Sequence, residues 1–293
     1  MDTNTLSSHK NTEPESSVLY IVGTPIGNLN DISLRALNIF KNVSLIACED
    51  TRQTKKIMSK FEFTNNLISF NKHNSRKKIP QIISYLNSGK SIALASDAGM
   101  PSICDPGEDL IREARSNGIS IICIPGACAA ITALVSSGLP SSKFIFEGFL
   151  PKKNIEREKI LLEICKSDKT TILFESPHRL KKLLFKLRDI CGGEREIIIS
   201  RELTKKFEEN IGNTIEDVIS YFERREVIGE ITVVIKGINK INQNDKYNKV
   251  ELKKDLYDLT NAGLNLTAAS KYLAKKNNIK KSIIYDMYEK QIQ

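Results

Sequence analysis

Val18-Leu19-Tyr20-Ile21-Val22-Gly23-Thr24-Pro25-Ile26-Gly27-Asn28 sets the pattern of this chain. An apolar, partly β-branched run, Leu19–Val22, stops at a turn bearing glycine and proline, and a helical stretch follows. The pattern then repeats. Strands are expected near Val43–Ala47, Ser91–Ala95 and Ile119–Ile124, with helices near Ile32–Lys41, Thr51–Phe61, Ile79–Ser88 and Gly107–Asn117 between or around them. Short runs alternating with helices mark an α/β fold, and strands joined by crossovers imply a mostly parallel sheet. The opening turn also excludes two nucleotide folds. Three residues separate its glycines and no Lys-Ser/Thr follows, so it is neither a Walker A loop nor a G-x-G-x-x-G fingerprint.

The alternation restarts after Pro125-Gly126, with a helix near Ala129–Ser136, strands near Phe144–Phe146, Thr170–Phe174 and Glu196–Ser200, a helix over Pro177–Ile190 and a final strand at Glu230–Ile235. This predicts two α/β domains, 18–125 and 126–237, with a cleft near the C-terminal ends of the strands. A polar segment, 1–17, precedes them and is expected to be disordered, and an Asn- and Lys-rich linker, 238–248, follows. A helical module, 249–293, closes the chain. Thr267-Ala268-Ala269-Ser270 begins one helix, a turn falls at Asn277-Asn278, and Ile283, Ile284, Met287 and Tyr288 line a second, a helix-turn-helix pattern.

The 293 residues, 40% hydrophobic and 27% charged, have room for two compact domains and belong to neither a disordered nor a fibrous protein. A net charge of +9 suits approach to a polyanion, although a coding bias toward Lys, Asn and Ile gives the same figure. Lys271, Lys275, Lys276, Lys280 and Lys281 follow one another without an intervening acid. They are either a solvated helix face or a contact to an RNA backbone. Cys48, Cys104, Cys123, Cys128, Cys165 and Cys191 form no C-x-x-C pair, and no His stands at ligand spacing. A reduced, cytoplasmic setting without a metal is expected. No long apolar stretch is free of charge and the N-terminus is unlike a signal peptide, so no membrane association is expected.

The loops after the expected strands concentrate small and charged residues, where function tends to sit. In Glu49-Asp50-Thr51-Arg52, Asp50 can cap the next helix, which leaves Glu49 and Arg52 for the cleft. Ser96-Asp97-Ala98-Gly99-Met100-Pro101 can offer backbone groups to a small ligand, with Asp97 as an acceptor, or be a plain β-to-α turn. Pro125-Gly126-Ala127-Cys128-Ala129-Ala130 puts small residues at a helix start, fit for a ligand or for close helix packing. Phe174-Glu175-Ser176-Pro177-His178-Arg179 and Ser200-Arg201-Glu202-Leu203-Thr204-Lys205 each end a strand with acid–base neighbours, a polar wall for the cleft.

In order along the chain, TPIGN at 24–28, EDTR at 49–52, SDAG-x-P at 96–101, DPG at 105–107, PG-x-CAA at 125–130, EGFLP at 147–151, ESPHR at 175–179, RELTK at 201–205 and GE-x-T at 229–232 form one set. With them the chain, from about Val18 to Gly237, resembles the ribosomal small-subunit RNA 2′-O-methyltransferases of the tetrapyrrole (corrin/porphyrin) methylase superfamily. The tail resembles the helix-turn-helix extension of many members. The resemblance implies two α/β domains with an interdomain cofactor cleft, S-adenosylmethionine as cofactor, and a homodimer. It also implies methylation of the ribose of a cytidine in the decoding centre of 16S ribosomal RNA, on the assembled small subunit. By position, the cofactor loop of the family falls on Asp97, Ala98, Gly99, Met100 and Pro101, and Pro125, Gly126, Ala129 and Gly148 complete the pocket. Met100 stands where the family usually shows Thr, Ala127 where Pro is common, and Asn71 and Ser75 where His and an acid are frequent.

Such a reaction needs a base for the hydroxyl proton, and Glu49, Asp50, Glu175 and Lys205 are the main candidates, with His73 and Glu202 as further ones. Arg52, His73, Arg179 and Arg201 are candidate RNA contacts, together with Lys275, Lys276, Lys280 and Lys281 of the tail. A guanidinium presents a fork of donors that keeps its proton, and a salt bridge inside the cleft wall would use it equally well. Methylation of a tetrapyrrole precursor is the alternative activity, and a non-catalytic RNA-binding or assembly role the alternative class. EDTR, ESPHR and the terminal lysines speak against the first, and the nearly complete cofactor loop against the second.

Overall fold

In a computed structural model, residues 13–238, 249–277, 281–282 and 284–285 are described. Most of the segment expected to be disordered, almost all of the linker, and Lys280, Ile283, Met287 and Tyr288 lie outside them. The chain forms two compact units, one of residues 1–165 and 169–236, the other of 166–168 and 237–293.

The first unit holds two sheets. The strands β1 (Val18–Val22), β2 (Leu45–Cys48), β3 (Leu67–Ser69), β4 (Ile92–Ala95) and β5 (Ser120–Ile124) pair in parallel in the order β3-β2-β4-β1-β5. β1 and β4 are buried at every position, as unbroken apolar runs in a parallel sheet covered on both faces should be. Because side chains alternate across a strand, Val18, Tyr20 and Val22 pack with α1 (Leu34–Asn42) and α2 (Thr51–Lys60). Leu19 and Ile21 face the other way, into α3 (Ser75–Asn87) and α4 (Glu108–Ser116). The short edge strand β3, half-buried throughout, has no counterpart among the strands expected from the sequence.

The second sheet follows α5 (Ala129–Ser137). In chain order its elements are β6 (Phe144–Phe149), α6 (Asn154–Lys166), β7 (Thr170–Glu175), α7 (Pro177–Cys191), β8 (Glu196–Arg201), β9 (Glu209–Thr214), α8 (Ile215–Glu223) and β10 (Ile231–Ile235). The order is β6-β7-β10-β8-β9, and only β6 and β7 run parallel. The expected strands and α7 are there, while α6, β9 and α8 are additions. β9, Glu-Asn-Ile-Gly-Asn-Thr, buries only Ile211, so no apolar alternation announces it, and its pairing to β8 makes it a strand.

In the second unit α9 (Lys249–Asn261) precedes the expected helix, which is α10 (Leu266–Asn277). Leu252, Leu256, Ala269, Leu273 and Ile284 form its core. Among the described residues no helix is long and apolar enough to cross a membrane. None of the six cysteines forms a disulfide.

Candidate active site

Loops at the C-terminal ends of β1, β4 and β5 are stitched to one another by backbone bonds. Gly23 N–H donates to the Ile124 carbonyl at 3.1 Å, Thr24 N–H to that of Gly99 at 2.9 Å, and Gly99 N–H back to that of Thr24 at 3.0 Å. The buried Thr24 hydroxyl donates to the Ser96 carbonyl at 3.2 Å. Gly23 and Gly126 touch backbone to backbone. A Cβ on Gly126 would lie 2.7 Å from the Gly23 Cα, so neither position has room for a side chain.

The TPIGN loop then reaches the second sheet. Ile26 packs with Ala130, Leu134, Ile172, Leu203 and Val234, and Asn28 N–H donates to the Thr204 hydroxyl at 3.0 Å. The two sheet ends thus enclose a cavity of about 520 Å³. Ile26, Met100, Ile103, Phe149, Phe174 and Leu203 give it an apolar lining, and Glu49, Asp97, Asp105 and Glu175 an acidic one.

Of the residues singled out in the sequence, Glu49, Asp97, Ala98, Gly99, Met100, Ala129 and Glu175 line the cavity. Pro101, Pro125, Gly126 and Gly148 do not line it. Gly148 sits at φ +62°, where a Cβ would lie 2.9 Å from the Cys104 sulfur of the facing wall. Asp50, Arg52, His73, Arg179, Arg201 and Lys205 also lie outside the lining. Lining residues not singled out include Asp105 and Phe149, although the DPG and EGFLP motifs contain them.

Neighbouring charges separate the candidate acids. Burial, then the charges of Asp105 and Asp97, push the Glu49 carboxyl up, against the pull of Lys72 and of the Asp97 N–H. Burial raises Asp97 and Asp105 as well. Asp50 has turned away to cap α2: it accepts from Arg52 N–H at 2.8 Å and pairs with the Arg52 guanidinium at 2.6 Å. These bonds hold its carboxyl at about 2. Asp50 N–H in turn donates to Asp97 Oδ1 at 2.9 Å, which joins the loops carrying Glu49 and Asp97.

Glu175, 3% exposed, accepts from Ser176 N–H at 2.7 Å and stands 3.2 Å from Arg179 Nε. Arg179 also donates to the Leu150 carbonyl at 3.0 Å, and Arg201 pairs with Glu209 and donates to the Ile228 carbonyl. Lys205 Nζ lies 2.9 Å from Glu202 Oε1 and 3.1 Å from Glu230 Oε1. Burial lowers the Lys205 ammonium, but these carboxylates outweigh it and leave it raised. His73 and Lys275 are exposed, Lys276 pairs with Asp255 at 3.4 Å, and Lys281 lies 5.7 Å from the Tyr285 ring centroid.

Backbone strain gathers in two loops that contribute to the lining. Ser102 and Cys104 in one, and Glu202 and Thr204 in the other, hold left-handed φ between +53° and +71° without being glycine. Each costs on the order of 1–3 kcal/mol and persists only where the surrounding structure enforces it, as ligand sites do.

The family model of tetrapyrrole (corrin/porphyrin) methylases matches residues 18–219. The chain is 39% identical to ribosomal RNA small subunit methyltransferase I of Bacillus subtilis (strain 168), over 95% of its own length and 96% of the relative. It is 46% identical to the protein of the same name from Thermotoga maritima over 220 residues, which make up 75% of this chain and 98% of that one. The solved uroporphyrin-III C-methyl transferase of Thermus thermophilus complexed with S-adenyl homocysteine superposes with a TM-score of 0.52 at 12% identity, covering 74% of this chain and 96% of that one. At such identity the likeness is one of fold. Together the family model and the near full-length relatives decide the assignment: the chain belongs to the tetrapyrrole (corrin/porphyrin) methylases, in the ribosomal RNA small subunit methyltransferase I family.

Proposed function

We propose that the protein transfers a methyl group from S-adenosylmethionine to the 2′-hydroxyl of a cytidine in the decoding centre of 16S ribosomal RNA, on the assembled small subunit and in the cytoplasm. The observation that carries this is the cavity at the strand ends, whose lining joins apolar side chains to the carboxylates Glu49, Asp97 and Asp105. The cofactor fits that donor set. Its adenine suits Ile26, Met100 and Phe149, its sulfonium and ammonium charges suit the carboxylates, and Gly99 and Ala129 keep the walls low. When bound, it supplies an electrophilic methyl carbon for in-line attack. We take 18–125 and 126–237 as the two lobes between which it lies.

Glu49 is the base in this reading. It lines the cavity, and its raised pKa brings it nearer the working pH, which favours proton transfer. Asp50 is committed to Arg52 and too weakly basic, Lys205 is held in its charged form, and Glu175 is tied to Ser176 and Arg179. Aligning the ribose with the methyl group contributes the rest of the rate. A second copy of the chain completes the assembly, over the exposed apolar residues Ile131 and Val135 of α5.

The test is transfer of labelled methyl from S-adenosylmethionine to small subunits lacking the modification, beside protein-free ribosomal RNA and a porphyrin precursor, with nuclease mapping of the product. Label at one cytidine ribose, preferentially on the subunit, is expected. Label on the porphyrin, or none anywhere, would overturn the proposal.

A further inference from the structure

We infer that the exposed face of α2 is the track along which the RNA backbone reaches the cavity, its phosphodiesters received by Arg52, Lys55, Lys56 and Lys60 and, at the far end, by Lys206. The inference rests on RNA being the substrate and deepens that reading by naming the surface. The track begins at the reaction site. Glu49 lines the cavity, Asp50 is the N-cap of α2, and Arg52, Lys56 and Lys60 then follow at a spacing of four on the exposed side of the helix. That row is about 12 Å long. At its end Lys60 and Lys206 share a shallow groove of about 430 Å³ with Gly27, Asn28, Leu29 and Asn30. The same loop supplies Ile26 to the cavity, so groove and cavity are two sides of one loop.

On α4 and α7 cations are paired, Arg112 with Glu108 and Asp109, and Lys186 with Glu158 of α6, whereas α3, like α2, carries its cations without an acid but does not follow a cavity-lining carboxylate. α2 contains no acid, and among the described residues Lys55, Lys56, Lys60 and Lys206 form no ion pair. Like charges four apart repel along a helix and weaken it slightly, a cost that a bound polyanion removes. Ammonium groups not paired with a carboxylate are also the ones free to displace counterions from phosphates. In the second unit Lys276 is paired with Asp255; Lys206 and Lys281 each lie over a neighbouring ring, of Phe207 and Tyr285, a contact that leaves the ammonium without a carboxylate. The Thermotoga maritima relative, moreover, has no counterpart to a quarter of this chain.

The experiment measures equilibrium binding to small subunits against salt for the full chain, for K55Q/K56Q/K60Q, for K206Q, and for a tail variant K275Q/K276Q/K281Q. Cofactor affinity and melting temperature verify the fold of each. Three lost phosphate contacts should flatten the log–log salt slope by about 2, at about 0.7 per contact on single strands. Weaker subunit binding by at least tenfold at fixed salt is expected for the α2 variant, a smaller loss for K206Q, and little change for the tail variant. An unchanged slope in the α2 variant, or no salt-dependent binding by the unmodified chain, overturns the inference. Because binding is read without turnover, a chain that binds subunits but transfers no methyl overturns the methylation reading alone, and the slope still decides the track.

Discussion

Glu49 and Asp50 are adjacent carboxylates with opposite fates. One faces the cavity with a raised pKa, and the other caps α2 with a lowered one, held at about 2. Glu49→Gln should therefore lower kcat by roughly 10²–10⁴-fold, the usual worth of a positioned base, while cofactor binding persists in a calorimetric titration. The base works deprotonated, so kcat should fall as pH drops through the Glu49 pKa, which burial and the charges of Asp105 and Asp97 set above the ordinary carboxylate range. Asp105→Asn removes one of those charges. The acid limb of the pH–rate profile should then move to lower pH, and a limb that stays put would assign the profile to another group. Gly126→Ala tests the loop junction: its Cβ would meet the Gly23 backbone at 2.7–2.9 Å, and backbone cannot swing aside. A loss of about 1–3 kcal/mol or more in urea unfolding is expected, as for other overpacked positions.

At the scale of the element, α3 carries Arg76, Lys77 and Lys78 in or next to its first turn, with no acid there and no side-chain cap. Cations at a helix N-terminus oppose its dipole. Lys77→Glu, at an exposed position, should raise stability by about 0.3–1 kcal/mol in urea unfolding at low salt, and less at high salt. α8 shows the opposite case, with Thr214 and Asp217 closing a capping box in which each side chain bonds the backbone of the other. Thr214→Ala should cost about 1 kcal/mol. Elements whose pattern is local were legible. β1 and β4 are apolar from end to end, and α7 opens on Ser176-Pro177 with its leucines at helical spacing. β3 and β9 were not, because one is three half-buried residues and the other is mostly polar.

For the whole molecule, the proposed dimer has a direct test. Val135 is 73% exposed, so Val135→Glu leaves the core of the chain untouched and places a charge only where a second copy would cover it. Sedimentation should show the unmodified chain as a dimer and the variant as a monomer. Equal masses would remove α5 from the interface. The cavity, too, belongs to the whole, since Glu49 and Asp97 come from loops that follow strands of the first sheet and Glu175 and Ser200 from strands of the second.

What the sequence determined by itself is what short-range chemistry encodes. The alternating runs specified an α/β fold, the glycines at 23 and 126 marked turns between its elements, and the ordered motifs identified the methylase family. Only the tertiary structure decided which acid faces the cavity and which is spent on a cap. It also set Asp105 beside Glu49, closed Arg201 onto Glu209, and, among the described residues, left the lysines of α2 without an ion pair. Each of these outcomes depends on which distant segments the fold brings together, because burial and charge act through neighbours in space, and neighbours in sequence do not reveal them.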